Sequence, residues 1–101
     1  MKTNRLEAGA IIKILKENRE ALRDFGVRRI GLFGSFSRKE QKNGSDLNFL
    51  VVFSKPSFDN YMELKFFLED IFKKNVDLVI EKSLKPSLKH VKKEALYVKG
   101  L

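Results

Sequence analysis

The 101-residue chain contains no cysteine and one histidine, His90. The first absence excludes disulfides and thiolate metal sites and fits a reducing compartment, and the second excludes an all-imidazole site. Oxygen donors must therefore hold any bound ion. Long hydrophobic runs are missing too. The opening MKTNRLEAGA carries Arg5 and Glu7 where a secretory leader needs unbroken apolar sequence, and no stretch is long enough to span a bilayer. The expectation is a soluble cytoplasmic protein. Repeats, linkers and low-complexity segments are also absent, and this length suits a single domain over residues 1–101.

What the chain has in excess is positive charge. A formal net charge of +8 attracts phosphates, whether of a nucleotide, a nucleic acid or an acidic partner, without choosing among them. The excess concentrates in residues 82–101, where Lys82, Lys85, Lys89, Lys92, Lys93 and Lys99 face the single acid Glu94. Apart from Tyr97 no Phe, Tyr or Trp interleaves these lysines, short of what a nucleic-acid stacking platform would require, and no nucleic-acid recognition motif is present. A solvated helix face accounts for them more simply.

Apolar periodicity divides the chain into alternating elements. Ala8, Ile11, Ile12, Leu15 and Leu22 recur at helical spacing, with Gly26 as a left-handed stop, so residues 5–25 read as one amphipathic helix. Arg29 to Phe33 and Leu47 to Phe53 read as buried strands, and the polar segment from Ser37 to the Asn43-Gly44 pair as a short helical turn and a tight connection. So short a link favours antiparallel neighbours. Pro56-Ser57 starts a second helix, marked by Tyr61, Leu64, Leu68, Ile71 and Phe72 and ending near Lys74-Asn75. Val76 to Ile80 makes a third strand, and Leu84, Leu88, Val91 and Ala95 suggest a last helix running into Tyr97-Val98. The expected fold is α+β, a small mixed sheet of about three strands with helices on one side.

The polar residues at the strand ends carry the chemistry. Gly34, lacking a Cβ, lets main-chain N–H groups approach a ligand, and Ser35 adds a hydroxyl donor at the start of a helical turn, which together make a phosphate cradle. The Gly-Ser pair alone is a weak signal, because ordinary turns use it often. Arg38, three residues on, either binds phosphate or braces the loop against Asp46. Asp46 and Asn48 stand two apart, so a strand turns both to one side; Asp46 by itself also reads as a turn cap after Asn43-Gly44-Ser45. Asp77 opens the third strand amid apolar residues, where an unpaired carboxylate is costly without a cation or donor. If that strand lies beside the second, Asp77 and Asp46 converge. Two carboxylates and a neutral oxygen beside a phosphate cradle suit Mg²⁺ bridging the protein to a nucleoside triphosphate, with Asp77 the candidate near the acceptor.

Gly34-Ser35-Phe36-Ser37-Arg38 through Ser45-Asp46-Leu47-Asn48, followed by Val76-Asp77-Leu78-Val79, resembles the DNA polymerase β-like nucleotidyltransferase superfamily, and within it the minimal nucleotidyltransferase branch. Lys93-Glu94-Ala95-Leu96-Tyr97 resembles the end of such domains. The resemblance implies a nucleotide site at Gly34, Ser35, Arg38 and Ser45, with Ser35 on the triphosphate. It implies Asp46 and Asp77 as catalytic residues and Asp46, Asn48 and Asp77 as metal ligands. Asn48 departs from the pattern, which has a second Asp there; an amide offers only a neutral carbonyl oxygen, which weakens Mg²⁺ binding. The resemblance further implies AMP transfer from ATP, or NMP transfer from another NTP, to a small helical partner of the HEPN type, some members acting as antitoxins. The alternative is a weakened nucleotide-binding or antitoxin module that acts by protein–protein binding.

Overall fold

A computed structural model describes residues 6–38, 40 and 44–101. Arg5, the first residue of the expected helix, and Asn43 of the expected Asn-Gly connection lie outside them. Within them run α1 (Ala8–Glu17), α2 (Arg19–Asp24), β1 (Val27–Phe33), β2 (Leu47–Phe53), α3 (Phe58–Phe72), β3 (Val76–Ile80), α4 (His90–Glu94) and β4 (Leu96–Tyr97).

The single first helix of the sequence reading is two helices. At Asn18 the backbone leaves helical geometry (φ −111°, ψ 23°) and the side-chain Nδ2 donates to the Ile14 carbonyl at 2.8 Å. An asparagine amide competes for backbone acceptors in this way, which is why it breaks a helix that the apolar spacing would continue. Gly26 then turns the chain into β1 with φ +84°, the left-handed stop expected of it. Ser57 caps α3, its hydroxyl accepting from the Asn60 N–H at 3.1 Å, and Lys73 ends α3 in a left-handed conformation at φ 55°.

The sheet has the order β3-β2-β1-β4, one strand more than expected. β1 and β2 pair antiparallel, and β3 pairs parallel to β2 after the crossover through α3. The fourth strand comes from the C-terminal segment. Instead of one helix, residues 81–97 form 3₁₀ turns at Glu81–Ser83 and Pro86–Leu88, then α4, then β4 against β1. Pro86 lacks the N–H and disfavours helix for the residue before it, which divides the segment despite its apolar spacing.

Alternation along the strands separates two faces. Ile30, Leu32, Leu47, Phe49, Val51, Val76 and Leu78 join Ile11, Leu15, Leu22, Leu64, Leu68 and Phe72 in one core. Each such side chain contributes about 1.5–3 kcal/mol on burial. The opposite face carries Gly31, Phe33, Asn48, Asp77 and Val79. There Tyr97 packs on Gly31, where an added Cβ would sit 2.7 Å from the ring. Arg29 lies 4.1 Å from the Tyr97 ring centroid, and the phenol donates to Glu81 Oε2 at 3.2 Å. Burial, and then the nearby Glu81 carboxylate, push the Tyr97 phenol pKa up. These contacts fix the C-terminal segment beside the chemical face. No helix among the described residues is long and apolar enough to cross a membrane.

Candidate active site

The site begins where three strands end together. Phe33 on β1 is the register partner of Asn48 on β2, and Asn48 is in turn the partner of Asp77 on β3. Side chains directly opposite one another share a face, so the row Phe33, Asn48, Asp77 crosses the sheet on the side away from the main core. Asp46 lies just before β2, two residues from Asn48. The strand pairing on which the expected convergence depends is present, with Asp77 beside Asn48, while Asp46 and Asp77 themselves line different clefts.

Asp77 corrects one step of the sequence argument. It is exposed, not buried among the apolar residues that flank it, because it occupies the first turn-out position of an edge strand. No burial penalty forces a partner on it. Its position is fixed through its neighbours: the Val76 N–H donates to Glu69 Oε2 at 3.0 Å, and Lys65 Nζ lies 2.8 Å from the same oxygen. The Lys65 contact first, and then the Val76 N–H, hold the Glu69 carboxyl below the usual range.

Gly34 follows β1 with φ +83°, a conformation that side chains rarely adopt. A Cβ there would meet Asn48 Nδ2 at 2.6 Å. Residues 35–38 form a single turn, not the start of a helix, so a helix dipole adds little; the turn acts through individual groups. The Gly34 carbonyl accepts from the Ser37 N–H at 3.1 Å, the Ser37 hydroxyl at 2.8 Å and the Arg38 N–H at 3.2 Å. The Ser35 carbonyl accepts from the Glu40 N–H at 2.8 Å. With these carbonyls occupied, the Ser35 and Phe36 N–H groups donate to no acceptor among the described residues. Two adjacent main-chain donors without a partner suit an anion.

Arg38 is placed otherwise than expected. Of the two roles open to it the structure favours bracing, but against Glu40 (Nε to Oε1, 3.0 Å) and Glu94 (3.6 Å), not Asp46. The Glu40 hydrogen bond, with a further contribution from Glu94, raises the Arg38 pKa. The guanidinium thus links the turn to α4. Ser45 and Asp46 line an open cleft of about 450 Å³ with Glu69, Lys73, Lys74 and Asn75, whereas Asp77 lines a second, of about 370 Å³, whose Phe33, Val79, Leu84, Leu88 and Val91 are joined by Ser83 and Lys85.

Phe36 escaped the sequence reading. It is buried at 2% exposure and anchors the turn from below. Its signal was a lone aromatic in an otherwise polar loop. Leu84, Leu88 and Val91 were legible only as a helical stripe; they form the apolar wall facing Asp77.

The sequence profile of the nucleotidyltransferase domain matches residues 11–98, a span that holds every residue of this constellation. The chain belongs to the nucleotidyltransferase domain family. Within the family it falls in the minimal nucleotidyltransferase branch. It is 44% identical over 91 residues to the protein adenylyltransferase MntA of Thermococcus cleftensis, covering 87% of this chain and 92% of that protein. A solved structure described as a minimal nucleotidyltransferase superposes with a TM-score of 0.72 at 31% identity, covering 93% of this chain and 98% of that one. A chain of a toxin–antitoxin complex with AMP-PNP gives a TM-score of 0.69 at 25% identity, covering 85% and 73%. The α+β fold of the nucleotidyltransferases is thus shared across the site, and the strand row at Asn48 and Asp77 lies within it.

Among the described residues no three or more His, Cys, Asp and Glu side chains cluster as a metal site. The donors present are Asp46, Asp77 and the Asn48 amide. Since Nδ2 is the Asn48 atom against Gly34, Oδ1 is the end of the amide turned away from the turn. Oxygen donors of this type suit a hard divalent cation, and two carboxylates with one amide are too poor in charge for a site complete without further anionic oxygens.

Proposed function

We propose that the chain is a protein adenylyltransferase that binds ATP at the Gly34-Ser35 turn and transfers AMP to a side-chain hydroxyl of a small helical partner of the HEPN type, acting as that partner's antitoxin. The observation that carries this reading is the register pair of Asn48 and Asp77 beside a turn with two N–H groups that have no acceptor among the described residues. The likeness to an adenylyltransferase and to a toxin–antitoxin chain solved with AMP-PNP supports the nucleotide and the partner class.

In this reading the Ser35 and Phe36 N–H groups and the Ser35 hydroxyl hold phosphate oxygens, with Gly34 and Ser45 lining the approach. Asp77 accepts the proton of the acceptor hydroxyl as its oxygen bonds to the α-phosphorus, and the bond from the α-phosphorus to the bridging oxygen breaks to release pyrophosphate. The cleft beside Asp77, walled by Leu84, Leu88 and Val91, accommodates the acceptor side chain. Asp46, Asp77 and Asn48 Oδ1 would hold Mg²⁺. Bound there, Mg²⁺ supplies neutralisation of phosphate charge and an acidified acceptor hydroxyl. Arg38 keeps the turn in place through Glu94. The test is incubation of the chain with ATP, Mg²⁺ and the protein encoded by the neighbouring gene, followed by intact mass measurement. A gain of one AMP on that protein is expected; folded, ATP-binding protein that modifies no acceptor would overturn the reading.

Asn48 favours a second reading, in which the chain binds nucleotide and partner but turns over poorly or not at all. It predicts an inert natural chain and transfer gained on Asn48→Asp substitution.

A further inference from the structure

One cation near the turn, Lys74, pairs with no carboxylate among the described residues. Lys74 follows the left-handed Lys73 at the end of α3, and its Nζ lies 5.7 Å from the centroid of the Phe36 ring. Phe36 is buried directly after Ser35, so the ammonium is seated against the floor of the turn that carries the free N–H groups. Lys74 lines the polar cleft with Ser45 and Asp46, as Lys73 does, but of the two only Lys74 also lies against Phe36, which places it between the turn and the start of β2.

Its neighbours are engaged elsewhere. Arg38 is held by Glu40 and Glu94, Lys73 by Asp70 at 3.5 Å, and Glu69 is taken by Lys65 and the Val76 N–H. Among the described residues Lys74 has no carboxylate partner. A cation–π seat of this kind positions an ammonium without neutralising it, since an aromatic face offers no formal charge. The result is an oriented, uncompensated positive charge facing a cleft that also holds Asp46.

We propose that Lys74, not Arg38, is the side-chain cation that binds the nucleotide's triphosphate, approaching from the β3 side while the Ser35 and Phe36 N–H groups approach from the turn. This rests on the nucleotidyltransferase reading and adds to it a residue that no motif marks. Lysine suits the task as a compact charge on a flexible stem, able to follow phosphate oxygens as they move.

Calorimetric titration with Mg-ATP of the natural chain, Lys74→Gln, Lys74→Arg and Lys73→Gln tests it. Lys73→Gln removes the same charge one residue away, from a side chain that lines the same cleft but has no seat on the Phe36 ring. Lys74→Gln is expected to weaken ATP binding about ten- to one-hundredfold, the scale of a lost charge-assisted bond, with an unchanged melting temperature. Lys74→Arg should recover part of the loss, and Lys73→Gln should stay within about threefold of the natural chain. ATP binding undiminished in Lys74→Gln, or reduced equally by Lys73→Gln, overturns the assignment while leaving the nucleotide site standing. Failure of the natural chain itself to bind ATP overturns both.

Discussion

A Cβ on Gly34 would lie 2.6 Å from Asn48 Nδ2, so the turn after β1 and the amide on β2 are shaped against one another. The residue that departs from the family's pattern is therefore also the one that the Gly34-Ser35 turn packs upon, and a change at either position is felt at the other.

Gly34→Ala tests this relationship. At φ +83° alanine is strained by about 1–2 kcal/mol, and its methyl group must displace the Asn48 amide or move the turn. Because the position is at the sheet's end and outside the core, the fold should survive. Denaturant unfolding should show a loss on that scale, while ATP affinity falls by tenfold or more.

Phe36→Ala acts from beneath. Removing a fully buried aromatic side chain costs about 3–5 kcal/mol and takes away the seat of Lys74. Urea unfolding should give that loss, and Phe36→Leu, which keeps the volume without the ring, should recover most of the stability but less of the ATP affinity.

How much of this was legible in sequence follows from which forces are local. Strand and helix periodicity reports burial, and it placed β2, α3 and β3 almost residue for residue; Gly34, Asp46, Asn48 and Asp77 are ordinary types at strand ends and stood out only through their combined order and spacing. The break at Asn18 was not visible, since it depends on one amide choosing the Ile14 carbonyl. The C-terminal segment misled because Leu84, Leu88 and Val91 have helical spacing yet face a cleft, with Pro86 among them. Arg38 was read as binding phosphate or bracing the loop against Asp46, whereas it pairs with Glu40, two residues on, and with Glu94, which only the fold brings near.

Glu69 ties stability to pH. Its carboxyl titrates lower in the folded chain, through Lys65 first and the Val76 N–H second, than in the unfolded chain, where glutamate titrates near roughly 4.3. A depressed folded value means stabilisation that is complete above the unfolded pKa and lost as pH falls through the folded one. Glu69→Gln should melt below the natural chain at neutral pH, with the gap narrowing below about pH 4. Thermal melts across pH 3–7 by circular dichroism check this, and a gap independent of pH would contradict it.

Asn48→Asp should raise Mg²⁺ affinity in the presence of ATP by supplying the missing negative charge, by about tenfold on the scale of one charge-assisted ligand. Magnesium titration of ATP binding measures it. The new carboxylate oxygen takes the place of Nδ2 against Gly34, so the substitution preserves shape and the melting temperature should change little.

The most direct test of the central claim is transfer of label from ATP carrying radioactive α-phosphate to the helical partner, comparing the natural chain with Asp77→Asn. Asp77 is exposed and outside the core, so its replacement leaves the fold intact and removes only the carboxylate beside the acceptor cleft. The account predicts labelled partner with the natural chain and a loss of at least a hundredfold with Asp77→Asn, within the usual range for a lost general base. Equal labelling by both chains, or labelling by neither while ATP still binds, would contradict it.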